Sequence, residues 1–185
     1  MSSLIYSLGV SVDGFIADRQ GAFDWGAPSP EQFRFHLEQT RELGVHLCGR
    51  AVYETMRVWE TDPSLRGTED EAAFADVWTA LPKVVFSRTL DRVEGNARLA
   101  EGSLADEVAA ALASTDLDVA IGGADLGRQA VELDLVDEVH LFRNPVLVGG
   151  GKPFFPPVTE DRPLELLETR TFAPRVVYEA YRRVR

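Results

Sequence analysis

A chain of 185 residues with 45% hydrophobic and 9% aromatic residues is long and apolar enough for one compact domain with a sizeable core. Its net charge of -11 and pI near 4.7 argue against a nucleic-acid or anionic-membrane partner, which would normally meet a basic face. Any anionic ligand must therefore find local arginines. The single cysteine, Cys48 in the apolar run "GVHLCG", can make no internal disulfide and fits a reducing compartment. The first residues lack the basic, then apolar, pattern of a secretory leader, and no apolar run reaches about 18 residues. The expectation is a cytoplasmic protein with no membrane partner.

Apolar runs of strand length alternate with stretches of helical period. "LIYSLGV" (Leu4 to Val10) reads as a largely buried first strand, and "SVDGFIADRQGAFDWGAPSP" as a long loop punctuated by glycine and proline. Ser29 caps a helix with Pro30 at its first position, and its apolar stripe Phe33, Leu37, Leu43 predicts an end at Gly44. "VHLCG" is a second strand and "RAVYETM" a short helix. The acidic segment "ETDPSLRGTEDEAAFADVW" reads as a solvated loop and surface helix, and "KVVFS" (Lys83 to Ser87) as a third strand. "SLADEVAAALAS" is a helix capped by Ser103, "DVAIGG" a fourth strand, "ADLGRQAVELDL" a helix, and "VDEVHLFRNPVLVG" a further strand. "LELLETRTF" and "RVVYEAYRRV" pair naturally as an antiparallel hairpin. The predicted fold is α/β in three layers, with a mostly parallel central sheet and an antiparallel C-terminal edge.

The chemistry concentrates where strands end. "DVAI" runs into Gly122, Gly123 and a helix opening at Ala124, which sets free N–H groups and a positive helix end at the carboxyl edge of the sheet. The stretch nearly matches G-x-G-x-x-G. A dinucleotide fingerprint of the Rossmann kind belongs in the first strand–helix turn with an acid about 20 residues on, however, and this one comes late in the chain. "VGGGK" (Val148 to Lys152) is no phosphate loop of the Walker type, because Val146 stands where the first glycine belongs and Pro153 where Ser or Thr should follow; it reads as a turn or bulge. "LCGRAVYE" ends a strand at Gly49 before Arg50, and "VVFSRTL" ends one at Ser87 before Arg88. Each of these sites alone suits an ordinary helix start or turn. Together they describe a cleft for a polyanion such as a dinucleotide with an extra phosphate, since arginine suits bidentate phosphate contact. His36, His46 and His140 have no ligand spacing, so no metal is expected.

The set "SVDGFIAD", "DW", "CGRAVYETM", "KVVFSRTL", "AIGGADL" and "DEVHLFRNPVLVGGGKPFF", in this order over essentially the whole chain, resembles the dihydrofolate reductase-like superfamily. Within it the chain is most similar to stand-alone proteins resembling the reductase domain of the bifunctional riboflavin-biosynthesis enzyme. The resemblance implies NADPH as cofactor. Gly49 and Arg50 would meet the adenosine-side phosphates, Ser87 and Arg88 the ribose 2′-phosphate and adenine, and Gly122, Gly123 and the amides of Ala124, Asp125 and Leu126 the pyrophosphate and nicotinamide. Gly9 and Ile16 would cover the nicotinamide, while Trp25 and Tyr53 would line the substrate side. Asp13 could reach the substrate or simply make the turn of "VDGF". The position of the family's usual threonine after the arginine holds Val52, which removes one hydroxyl contact to phosphate. The carboxylate that assists pterin protonation in dihydrofolate reductases falls near Glu31 or the apolar Phe33, so Glu31 or a bound water is the expected proton source. The implied activity is hydride transfer to a small heterocyclic or ribosylaminopyrimidine-like molecule. The alternatives are a non-catalytic nucleotide-binding relative and a nitro- or drug-reducing enzyme. A homodimer is expected from the resemblance and from an exposed C-terminal sheet edge.

Overall fold

The computed structural model describes residues 2–173 and 175–184. Its strands are β1 (Leu4–Ser11), β2 (Phe15–Ala17), β3 (Leu43–Gly49), β4 (Lys83–Phe86), β5 (Ala97–Leu99), β6 (Asp118–Gly122), β7 (Glu138–Asn144), β8 (Lys152–Pro153), β9 (Leu164–Phe172) and β10 (Val176–Arg183). The helices are α1 (Pro30–Arg41), α2 (Arg50–Met56), α3 (Val58–Thr61), α4 (Glu69–Ala80), α5 (Leu104–Ala113) and α6 (Ala124–Glu132). Eight strands form one sheet in the order β5-β4-β3-β6-β1-β7-β10-β9. All neighbours from β5 to β7 run parallel, and β10 and β9 close the edge antiparallel. The sheet is therefore mostly parallel with an antiparallel C-terminal edge, as its alternating elements predict.

Local chemistry starts the helices where it should. Ser29 Oγ accepts the Gln32 N–H at 3.3 Å and Pro30 occupies the first turn of α1, while Thr68 with Glu71 and Ser103 with Asp106 close capping boxes on α4 and α5. One face of the sheet buries Leu4, Tyr6, Val45, Leu47, Val119 and Ile121 against α5 and α6. On the other, Leu37 of α1 packs with Phe74 and Trp78 of α4, and Phe142, Phe172 and Tyr178 gather around Phe35.

Three expectations are corrected. Leu43 and Gly44 belong to β3 and not to the first helix: α1 ends at Arg41, Leu43 pairs with Asp118 of β6, and a β-carbon on Gly44 would collide with the side chain of Thr115, so that position needs glycine. The acidic segment does form a surface helix, α4, but that helix also buries Phe74, Ala75 and Trp78. Its acids crowd the first turn, where they cap and complement the helix dipole, and so hide an apolar face from a composition count. The strand expected over residues 136–149 stops at Asn144, since Pro145 has no N–H to donate and Gly149, Gly150 and Gly151 all have positive φ. Those glycines are used in packing. A β-carbon on Gly150 would strike the Arg19 guanidinium and one on Gly151 the backbone of residues 17 and 18, so the run packs against the loop after β1 and leads into the β2–β8 pair. Among the described residues no helix is long and apolar enough to cross a membrane.

Candidate active site

Parallel strands bring their carboxyl ends to one edge, and there the register aligns the three singled-out sequences. Gly49 pairs with Phe86, the residue before Ser87, and Cys48 pairs with Gly122. The glycine turn is shaped by two different demands. Gly123 has φ +99°, a conformation that L side chains avoid, and it caps α6. A β-carbon on it would lie 3.3 Å from Val52 Cγ2 and 3.9 Å from Gly49 N, so the start of α2 and the start of α6 converge on one bare backbone. Gly122 is required by packing: its β-carbon would fall 2.7 Å from His46 Cε1. The side chains of Ala124 and Leu126 are buried, which leaves their backbones at the helix start.

Arg50 reaches across this edge. Its guanidinium donates to Thr89 Oγ1 at 3.0 Å and lies 3.7 Å from Glu54, while Ser87 Oγ accepts the N–H groups of Thr89 and Leu90 and so holds that loop in a tight turn. Arg88 is exposed beside it. A depression of about 590 Å³ lined by Tyr53, Arg57, Thr89, Leu90 and Arg92 adjoins these residues. Asp125, in the first turn of α6, is flanked by Lys152 at 2.9 Å and Arg128 at 3.1 Å; the hydrogen bond from Lys152 above all holds its carboxyl below the usual range. The acid is thus neutralised by two cations at the end of the helix that faces the edge.

The other half of the candidate site borders the central strand β1, where Leu4, Tyr6 and Val10 are buried while Ile5, Ser7, Leu8 and Gly9 are only half-buried. Gly9 pairs with Phe142, and the His36 ring of α1 sits over Phe142 at 4.3 Å. Because α1 connects β1 to the parallel strand β3, it runs back along the sheet and starts at the carboxyl edge. Its inward side carries Gln32, 3% exposed, whose Nε2 lies 3.3 Å from His36 Nε2. Burial pushes the imidazoles of His36 and His46 each down to about 4, so both are neutral at physiological pH. Ile16, in β2, packs on the main core cluster, and Trp25 is half-buried in the short turn that precedes α1.

Three of the residues expected at the substrate side lie otherwise. Tyr53 is 4% exposed in a cluster with Cys48 and Val85, and its hydroxyl accepts the Glu94 N–H at 2.7 Å and donates to the Glu94 carbonyl. It braces the loop after β4. Asp13 accepts from Ser11 Oγ at 2.7 Å and from the amides of Val148 and Gly149, with the Ser11 bond the main reason its carboxyl lies below the usual range. It is a clasp between two loops. Glu31 points outward, half-exposed, 3.5 Å from Arg170. Phe33 joins the α1–α4 cluster, which leaves Gln32 as the inward residue of that turn. From the sequence His36 and His46 are weighed only as metal ligands and Gln32 is not singled out; the available signal was the polar pair Gln32 and His36 four residues apart on one helix face. Among the described residues no group of three or more His, Cys, Asp or Glu side chains is placed to hold a metal ion.

The comparisons with known proteins agree with this architecture. The chain matches the RibD C-terminal domain model over residues 2–178, and it belongs to that family. It is 31% identical over 183 residues to the uncharacterized protein YyaP of Bacillus subtilis (strain 168), covering 96% of this chain and 93% of that protein. Among solved structures, a protein from Shewanella sp. PV-4 ascribed to riboflavin biosynthesis superposes with a TM-score of 0.78 at 23% identity, over 99% of each chain. Dihydrofolate reductase from Enterococcus faecalis complexed with NADP(H) superposes with a TM-score of 0.64 at 17% identity, over 99% of this chain and 97% of that one. The fold is the dihydrofolate reductase-like one.

Proposed function

We propose that the protein is an NADPH-dependent reductase acting on a small heterocyclic, ribosylaminopyrimidine-like substrate. The observation that carries this reading is the convergence of Gly49–Arg50, Ser87–Arg88 and Gly122–Gly123 at one sheet edge, beside the half-buried residues of β1. The residues fit the cofactor. The edge offers a bare glycine backbone at Gly123, the start of α6, and two arginines in a protein of net charge -11.

When bound, NADPH supplies the hydride. Arg50 and Arg88 would hold its 2′-phosphate end, the Gly122–Gly123 turn and the amides of Ala124 to Leu126 its pyrophosphate, and Gly9 and Ile16 its nicotinamide. Ser7 and Gly9 would form the floor beneath the substrate, and Trp25 would line its side. Glu31 lies on the outer side of α1, so its proton would travel through water to reach the substrate. Cys48 is fully buried, and burial pushes its thiol up to about 12, which keeps it from acting as a nucleophile in the reaction. The edge strand β9 exposes Leu164, Leu166 and Leu167, which supports a homodimer across that edge; a monomer in sedimentation equilibrium at micromolar concentration would remove that part of the proposal.

Calorimetric titration with NADPH and NADH tests the cofactor. NADPH should bind more tightly by about 1.5–3 kcal/mol if one charge-assisted contact to the 2′-phosphate is made. Equal dissociation constants would overturn the assignment.

A further inference from the structure

We propose that His46 contacts the cofactor: its Nε2–H donates to an acceptor oxygen on the nicotinamide half of NADPH, where that half lies against Gly122. The proposal rests on the reductase reading for the cofactor and adds to it a contact from the middle of β3, behind the strand ends.

Bare backbone and one polar ring meet at this point. The position that a β-carbon on Gly122 would fill lies 3.2 Å from His46 Nε2 and 3.4 Å from Val52 Cγ1, and the corresponding position on Gly123 lies 3.3 Å from Val52 Cγ2. Val52 therefore brings only methyl groups to the glycine turn, and His46 brings the polar atom. The two nitrogens of its ring differ in their surroundings. Nδ1 is sealed from solvent and has no hydrogen-bond partner, whereas Nε2 is not sealed and the residue is only half-buried, so Nε2 is the nitrogen that a ligand can reach. Trp78 meets the ring edge-on at 5.1 Å and fixes its place.

The position of the proton follows from burial and charge. His46 stands directly opposite Lys83 on the neighbouring strand, and the Lys83 cation lies over the same Trp78 ring that the imidazole meets. A proton on Nδ1 would be a sealed donor without an acceptor, close to a cation; a lone pair on that atom is favoured by the same charge. The proton therefore belongs on Nε2. Burial first, and then the Lys83 charge, keep the ring neutral at physiological pH. His46 thus offers a single uncharged donor of fixed direction. Such a donor suits a carbonyl or hydroxyl oxygen and leaves the phosphates of the cofactor to the arginines and the helix start.

NADPH is titrated into the full chain and followed both by calorimetry and by proton–nitrogen correlation of the imidazoles. The His46 signals, assigned through bonds from its backbone, should show a protonated Nε2 and a bare Nδ1 in the free protein. Saturation with NADPH should shift Nε2 of His46 and leave His140, at the start of β7, unmoved. His46→Phe keeps a ring against Trp78 and should weaken NADPH about fivefold. Adding Val52→Thr sets a hydroxyl beside the same point and should restore most of that loss, which a merely disturbed turn would not allow. Thermal melting identifies any variant that is unfolded, and the Nε2 response of the parent protein then decides the matter. A proton on Nδ1, an Nε2 unmoved at saturation, parental affinity in a folded His46→Phe, or a folded double variant without rescue overturns the proposal and leaves the reductase reading standing. Absence of NADPH binding overturns both.

Discussion

The imidazole of His46 occupies the place that a β-carbon on Gly122 would take. Its Cε1 would lie 2.7 Å from that carbon, with Nε2 at 3.2 Å and Val52 Cγ1 at 3.4 Å behind it. The ring cannot readily retreat, because Trp78 meets it edge-on at 5.1 Å. The Gly-Gly turn therefore answers to the core on one side and, in the proposed function, to a ligand on the other.

This relationship predicts a coupling. Gly122→Ala should destabilise the fold by about 1–3 kcal/mol through overpacking, and His46→Ala should relieve most of that cost in the double variant. Urea denaturation of the four proteins measures the cycle. Additive effects would show that the ring yields without strain.

At Gly123 the demand is conformational, and the protein contact can be removed separately. Gly123→Ala places a methyl 3.3 Å from Val52 Cγ2 at φ +99°, for a loss of roughly 1–3 kcal/mol. Adding Val52→Ala should restore part of the stability and none of the NADPH affinity, since the remaining methyl still stands on the backbone offered to the pyrophosphate. Parental cofactor binding by the folded double variant would mean that this glycine serves the chain alone.

Lys83 is a buried cation held on all sides. Its Nζ donates to the carbonyls of Trp78 at 2.6 Å and Leu81 at 3.0 Å, lies over the Trp78 ring, and meets Glu60 Oε1 at 2.9 Å with both side chains nearly sealed from water. Glu60→Ala leaves the charge without its anion and should cost about 3 kcal/mol, the lower end expected for breaking a buried pair because two carbonyls remain. Replacing both partners together, Glu60→Leu with Lys83→Met, should recover most of it. A Glu60→Ala protein with unchanged urea midpoint would contradict this account.

Acid should weaken the start of α5. Glu107 is buried and accepts from the two terminal guanidinium nitrogens of Arg98 and from the amides of Glu101 and Gly102; the Arg98 bonds chiefly hold its carboxyl down to about 2, from an ordinary 4.5. A carboxyl whose folded value is depressed stabilises the fold above its unfolded value, and that contribution disappears as pH falls from 4.5 towards 2. With Arg98 half-exposed and screened, the loss should be about 1–2 kcal/mol. Glu107→Gln should flatten the stability curve over this window, and a slope identical to the parent's would refute the assignment.

Much of the fold is legible from the residues. The alternation of β-branched runs with capped helical segments, and the final pair of strand-like runs, is enough to predict a parallel sheet with an antiparallel edge. Ser29–Pro30 and Ser103 mark their helix starts by side-chain chemistry that acts within one turn, which is why they can be read without tertiary information. The glycine turn at Gly122–Gly123 is visible for the same reason. Strands of two or three residues such as β2, β5 and β8 are not, because their pairing partners are distant and their own sequences carry no period.

The order of the elements, the helix caps and the residue types at the three strand ends are legible along the chain, because each depends on contacts within a few positions. Which side chains of α1 turn towards the sheet is settled by long-range packing. A helix turn presents Glu31, Gln32 and Phe33 in three directions about 100° apart. The packing of α1 against α4 and β7 selects Gln32 to face inward, sends Phe33 to the α4 cluster and leaves Glu31 to Arg170. The same long-range packing buried Tyr53 beneath the loop after β4 and committed Asp13 to the amides of Val148 and Gly149. Direction about a helix axis, and the partner a carboxylate meets across 135 residues of chain, are properties of the assembled core and are not written in any local stretch.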